Sequence, residues 1–133
     1  MAVTITLSFR FPMGHRILGL DGLGLKCRNV HGHNWQADVE LPNDDGALEF
    51  GAVKEAVGGW IEERLDHGFM LAADDPFLDY LLDNDLKHFV VDGRPDTECV
   101  ASVIAAYTEK LTGVTPKRVY VLEGYRNAAT WTP

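Results

Sequence analysis

His31-Gly32-His33-Asn34-Trp35-Gln36-Ala37-Asp38-Val39-Glu40-Leu41 decides the fold, because its odd and even positions differ in kind. Residues two apart on a β-strand share a face, so Trp35, Ala37, Val39 and Leu41 form an inward row opposed to Asn34, Gln36, Asp38 and Glu40. His31 and His33 begin that inward row and can present two imidazoles to one point. Upstream, Val3, Ile5, Leu7, Phe9 and Phe11 alternate with Thr4, Thr6, Ser8 and Arg10. If that register continues through Pro12, His15 falls on the apolar side as well. Three neutral imidazoles suit Zn²⁺ and leave its fourth position to water or substrate. Spacing alone leaves a plainer reading open, in which His31 and His33 are hydrogen-bonded core histidines and His15 sits in a loop.

Outward from this ribbon, Asn43-Asp44-Asp45-Gly46 is a turn sequence, which predicts a short returning strand near residues 47–50. Val53, Val57, Trp60, Ile61 and Leu65 then recur at helical spacing and deliver Leu65-Asp66-His67. Gly58 and Gly59 each cost that helix about 1 kcal/mol relative to Ala, so packing must hold it. A short helix is expected over Phe77–Leu82, and Phe89-Val90-Val91 reads as a third long strand closed by Asp92-Gly93. Asp96 or Thr97 can cap a second long helix with the stripe Val100, Val103, Ile104, Tyr107 and Leu111, ended by Gly113. The last strand, Arg118–Glu123, aligns Glu123 with Val119 and Val121. Glu123 is then either a surface residue at a fraying strand end or a buried acceptor for a donor-rich ligand. Strands paired through hairpins with helices on one face make an α+β domain.

At 133 residues the chain is expected to form one domain, residues 1–133, able to bury a core without staples. No stretch approaches the roughly 20 apolar residues that span a membrane, and no signal peptide is apparent. Cys27 and Cys99 are the only cysteines, which favours reduced thiols over a disulfide framework; the expected compartment is the cytoplasm. A net charge of -8 argues against nucleic acid as the main partner. Yet residues 1–37 hold Arg10, Arg16, Lys26 and Arg28 against Asp21 alone, so positive charge surrounds the histidines. A locally basic site in an acidic protein suits a small anionic substrate, although charges defending a strand edge would look the same.

The run Cys27-Arg28-Asn29-Val30-His31-Gly32-His33-Asn34-Trp35, preceded by Phe11-Pro12-Met13-Gly14-His15, resembles the 6-pyruvoyl and 6-carboxytetrahydropterin synthase family. Leu65-Asp66-His67, Asp96-Thr97-Glu98 and Val121-Leu122-Glu123 follow in the family's order, so the resemblance spans the chain. It implies a T-fold: an antiparallel four-stranded sheet with two helices on one face, assembled into a homo-oligomeric barrel, typically a hexamer with sites between subunits. It also implies that His15, His31 and His33 hold Zn²⁺, that Cys27, Asp66 and His67 are catalytic, and that Thr97, Glu98 and Glu123 hold the pterin. Arg10, Arg16, Lys26 and Arg28 are candidates for the triphosphate of 7,8-dihydroneopterin triphosphate. The activity so implied is a zinc-dependent lyase that forms 6-carboxytetrahydropterin, acetaldehyde and triphosphate on a route to queuosine and other 7-deazaguanines. The alternatives are 6-pyruvoyl tetrahydropterin synthase, which eliminates triphosphate alone, and a non-catalytic zinc- or pterin-binding module. The chain departs from the family at Gly14, where alanine is common, and in a segment between His67 and Thr97 that is longer than in compact bacterial members.

Overall fold

The computed structural model describes residues 2–133 and builds them on one long antiparallel ribbon. Strands β1 (Thr4–His15) and β2 (His31–Pro42) pair over their full length, from Thr4↔Pro42 to His15↔His31. The inward parity holds: Leu7, Phe9, Phe11 and Met13 on β1 and Trp35, Ala37, Val39 and Leu41 on β2 are buried. Pro12 does not break the register. The next strand on that side meets β1 only at Gly14 and His15, so Pro12 lies beyond the paired section, where a missing N–H costs little.

Helix α1 (Phe50–Val53) opens into a π turn over Lys54–Gly58 and continues as α2 (Gly59–Arg64). The Glu49 carboxylate caps its start, accepting from Gly51 and Ala52 N–H. Val53, Val57 and Ile61 pack on the inward face of the ribbon together with Val100, Ile104 and Ala105 of the longest helix, α4 (Thr97–Thr112). Asp96 caps α4 by accepting from Cys99 N–H at 2.9 Å, and Gly113 (φ 74°) ends it.

The sheet is six-stranded and mixed, which corrects the expectation of four antiparallel strands. Its order adds β3 (Phe69–Ala72), β4 (His88–Val91), β5 (Arg118–Glu123) and β6 (Asn127–Trp131) to the ribbon as β4-β3-β1-β2-β5-β6. β3 runs parallel to both β1 and β4. The expected returning strand near residues 47–50 does not form; Asn43 instead ties that segment down by exchanging side-chain hydrogen bonds with the Leu48 backbone. The third strand is four residues at a sheet edge, not a long one. Helix α3 (Phe77–Asp83) links β3 to β4 as a small βαβ unit with its own apolar cluster of Phe69, Leu71 and Leu81. Met70 points the other way into the main core, so β3 is buried on both faces and α3 lies opposite α2 and α4.

Candidate metal centre

Register brings the three histidines together. His15 and His31 face each other across the β1–β2 ladder and His33 stands two residues further along β2 on the same face. Their ring centroids lie 4.7, 5.1 and 5.0 Å apart pairwise, and one nitrogen from each falls within 4.8 Å of the other two. Trp35 forms the floor, edge-on to His15 and His33 and held by its own N–H to Met13 O at 3.0 Å.

Backbone carbonyls set the orientation of two rings. His15 Nδ1 donates to Pro95 O at 2.7 Å and His31 Nδ1 donates to Asn29 O at 2.6 Å, which leaves each Nε2 as a bare acceptor. His33 Nε2 is buried with no hydrogen-bond partner. Burial pushes the His15 and His33 imidazoles below their ordinary pKa of 6.5, and the neighbouring His31 adds to this in both. Nearby Glu123 pulls the other way without overcoming it. In these two rings burial thus favours the neutral imidazole, the form that ligates.

The donor set fits a tetrahedral cation. Zn–N bonds of about 2.0–2.1 Å place ligand nitrogens about 3.4 Å apart, so the furthest pair would close by no more than about 1.4 Å from the present 4.8 Å limit. An orphaned buried nitrogen costs free energy that a metal bond recovers. Three imidazoles leave one coordination position open, as in catalytic rather than structural sites.

The remaining candidates separate into those that join this cluster and those that do not. A cavity of about 460 Å³ is lined by all three histidines with Lys26, Cys27, Glu123 and Asn127. Cys27 is half-buried in a 3-10 segment (Gly22–Arg28) whose Cys27 O accepts from Ile17 N–H at 2.8 Å, tying the thiol to the end of β1. Glu123 places Oε1 3.4 Å from His33 Nε2, and its Oε2 accepts from the Thr97 hydroxyl at 2.6 Å. Glu123 therefore sits within the site rather than at a frayed surface end. Glu98 is exposed and lines a different groove, between β4 and α4. Arg28 is exposed, Arg10 lies on the outward face donating to Gln36 at 3.2 Å, and Arg16 makes a two-pronged ion pair with Asp75.

Asp66 and His67 stand apart from Cys27. His67 lines a second cavity with Pro12, Gly14, Gly32 and Asn34, which meets the histidine cluster only at His33. Its Nδ1 lies 3.1 Å from Asp66 Oδ1, its side chain is 79% exposed, and its backbone is left-handed (φ 61°) with N–H donated to Pro12 O at 2.8 Å. Sequence reasoning missed Asn127, because β6 carries only Ala128, Ala129 and Thr130 before Trp131 and shows no alternation. It also missed the Pro95 and Asn29 carbonyls, which leave no mark in side-chain chemistry.

A family profile described as 6-pyruvoyl tetrahydropterin synthase matches residues 4–133. A Rickettsia felis protein named 6-carboxy-5,6,7,8-tetrahydropterin synthase is 26% identical over 107 residues, 75% of each chain. A Halobacterium salinarum protein named probable 6-carboxy-5,6,7,8-tetrahydropterin synthase is 34% identical over 100 residues, 71% of this chain and 61% of that one. Among solved structures, an uncharacterized protein from Wolinella succinogenes superposes with a TM-score of 0.81 at 22% identity, covering 99% of this chain and 98% of that one. The Caenorhabditis elegans 6-pyruvoyl tetrahydropterin synthase does so at 0.69 and 18% identity, covering 100% and 96%. Those two structures share the fold, and the profile spans nearly the whole sequence: the chain belongs to the 6-pyruvoyl tetrahydropterin synthase family.

Proposed function

We propose that this protein is a zinc-dependent 6-carboxy-5,6,7,8-tetrahydropterin synthase, a lyase converting 7,8-dihydroneopterin triphosphate and water to 6-carboxytetrahydropterin, acetaldehyde and triphosphate. The observation that carries the reading is the single cavity in which His15, His31 and His33 converge beside the Cys27 thiol and the Glu123 carboxylate. Relatives named for this reaction favour it over triphosphate elimination alone. His15, His31 and His33 would hold the ion, which when bound supplies a Lewis acid for the hydroxylated side chain of the substrate.

The other steps belong to the chain. Glu123 accepts hydrogen bonds from the N–H and amino edge of the pterin, and Thr97 orients it by occupying Oε2. Cys27, as thiolate, takes the side-chain proton. Lys26, from the same cavity rim, and the adjacent Arg28 meet the triphosphate. His67, oriented by Asp66, returns a proton to the substrate. Because His67 and Cys27 line different cavities of one chain, the reading places them together through an assembly in which one copy's Asp66–His67 corner closes another copy's cavity. A cytoplasmic homohexamer on a route to 7-deazaguanines is such an assembly.

The test is product analysis of zinc-loaded protein incubated with 7,8-dihydroneopterin triphosphate. Acetaldehyde in step with 6-carboxytetrahydropterin supports the reading. Triphosphate released with the side-chain carbons retained assigns the 6-pyruvoyl reaction instead, and unchanged substrate leaves a binding module.

A further inference from the structure

Helix α2 does not end in the ordinary way. Asp66 N–H turns to Ile61 O at 2.8 Å, a carbonyl that already accepts from Leu65 N–H at 2.8 Å, and Gly68 N–H goes to Leu65 O at 2.8 Å. Glu62 O thereby loses the amide that would have reached it, and Asp66 O faces away from the helix ladder. Both carbonyls are taken by one side chain. Lys87 Nζ donates to Glu62 O at 2.8 Å and to Asp66 O at 2.6 Å. A cation there also complements the negative end of the helix.

The aliphatic stem of Lys87 is as closely fitted as its head. A Cβ at Gly68 would stand 3.1 Å from Lys87 Cδ and 3.2 Å from Cγ, and Phe69 N–H donates to Lys87 O at 3.2 Å. Lys87 thus grips residues 62–69 on both sides of His67, whose left-handed backbone is strained for a side-chain-bearing residue. Lys87 comes from the connection between α3 and β4.

We infer that Lys87 is a positioning residue for the Asp66–His67 pair: its ammonium clamps the Glu62 and Asp66 carbonyls and so fixes the corner that carries the pair. This rests on the proposed function only for the role given to His67. Misplacing a reacting group by about an ångström costs up to about a hundred-fold in rate. In the zinc-loaded assembly with 7,8-dihydroneopterin triphosphate, Lys87→Met, which keeps the stem and removes the donor, should lower kcat about ten-fold with KM and zinc content unchanged. Lys87→Arg, which can donate to both carbonyls, should restore most of it. A second readout does not need turnover. Nitrogen NMR of the His67 ring should show Nδ1–H held toward Asp66 in the wild type and in Lys87→Arg, and mixed tautomers in Lys87→Met. Unchanged ring signals in Lys87→Met, or equal kcat losses in the Met and Arg variants, overturn the inference. If the wild type leaves the substrate untouched while the ring signals respond as expected, the proposed reaction falls and the clamp stands.

Discussion

The histidine-bearing ribbon and the Asp66–His67 corner that leads into the β3–α3–β4 unit carry the two halves of the proposed chemistry, and they are built on opposite principles. The ribbon has two strands of 12 residues in one antiparallel ladder, so a single register places all three imidazoles with backbone precision. The Asp66–His67 corner belongs to no ladder; a strained residue, an irregular helix end and a lysine from a neighbouring connection hold it. Sites on regular elements tolerate few alternatives, whereas a corner depends on each of its tethers. Damage to the ribbon should therefore abolish function outright, and damage to the βαβ unit should act by degrees.

The largest effect is expected at the ribbon. His31→Ala removes one of the three proposed ligands, and zinc content measured by plasma emission should drop to a small fraction of one ion per chain, with turnover lost by more than about 1,000-fold. Cys27→Ala comes next. It should lower kcat by about 100- to 10,000-fold while zinc stays near one per chain, since Cys27 lies outside the histidine cluster. Retained turnover with retained zinc would remove the thiol as base and point to chemistry at the metal alone.

This contrast also explains what could be read from the sequence. Alternation over residues 3–11 and 33–41 revealed the ribbon, its buried face and the convergence of His15, His31 and His33, because one solvated face makes period two visible. Most of the α4 stripe and its Asp96 and Gly113 ends were legible for the same reason, although Leu111 is exposed and Ala101, Ala105 and Thr108 complete the buried face instead. β3 was not: Phe69, Met70 and Leu71 are all buried, Met70 toward the main core and its neighbours toward α3, so no polar residue marks a face. A four-residue parallel pair offers no turn signature either, since its connection is a helix. That His67 and Cys27 line different cavities of one chain was likewise invisible to motif order.

Within the βαβ unit, Asp75 is the strongest tether. Its buried carboxylate receives two hydrogen bonds from Arg16 and one from Phe77 N–H at 2.8 Å, linking the end of β1 to the start of α3. Asp75→Ala leaves Arg16 mostly buried without its partner and should cost about 2–3 kcal/mol in urea unfolding. The Arg16 hydrogen bond, more than any other contact, holds the Asp75 carboxyl below its ordinary 3.8 despite burial. A carboxylate depressed in the fold stabilises it above the unfolded value and ceases to do so as pH falls through the folded one. Wild-type stability should therefore decline below about pH 3.8 with a component that is absent from Asp75→Asn.

The smallest effect separates the two regions where they touch. Gly14 is the last ribbon residue before His15 and pairs with Phe69 of β3, and a Cβ there would stand 2.6 Å from Phe69 Cδ2 and 3.2 Å from His31 O. Alanine is disfavoured here by the Phe69 ring rather than by backbone angle. Gly14→Ala should cost about 1–2 kcal/mol through overpacking, and Gly14→Ala combined with Phe69→Leu should cost less than the two changes summed, because the shorter side chain vacates the contested space. The carbonyl of His31 cannot move without shifting a residue of the histidine cluster, so any relaxation falls on β3. Zinc affinity should then survive Gly14→Ala while the Asp66–His67 corner is displaced, and a loss of zinc instead would mean that ribbon and βαβ unit are one cooperative body.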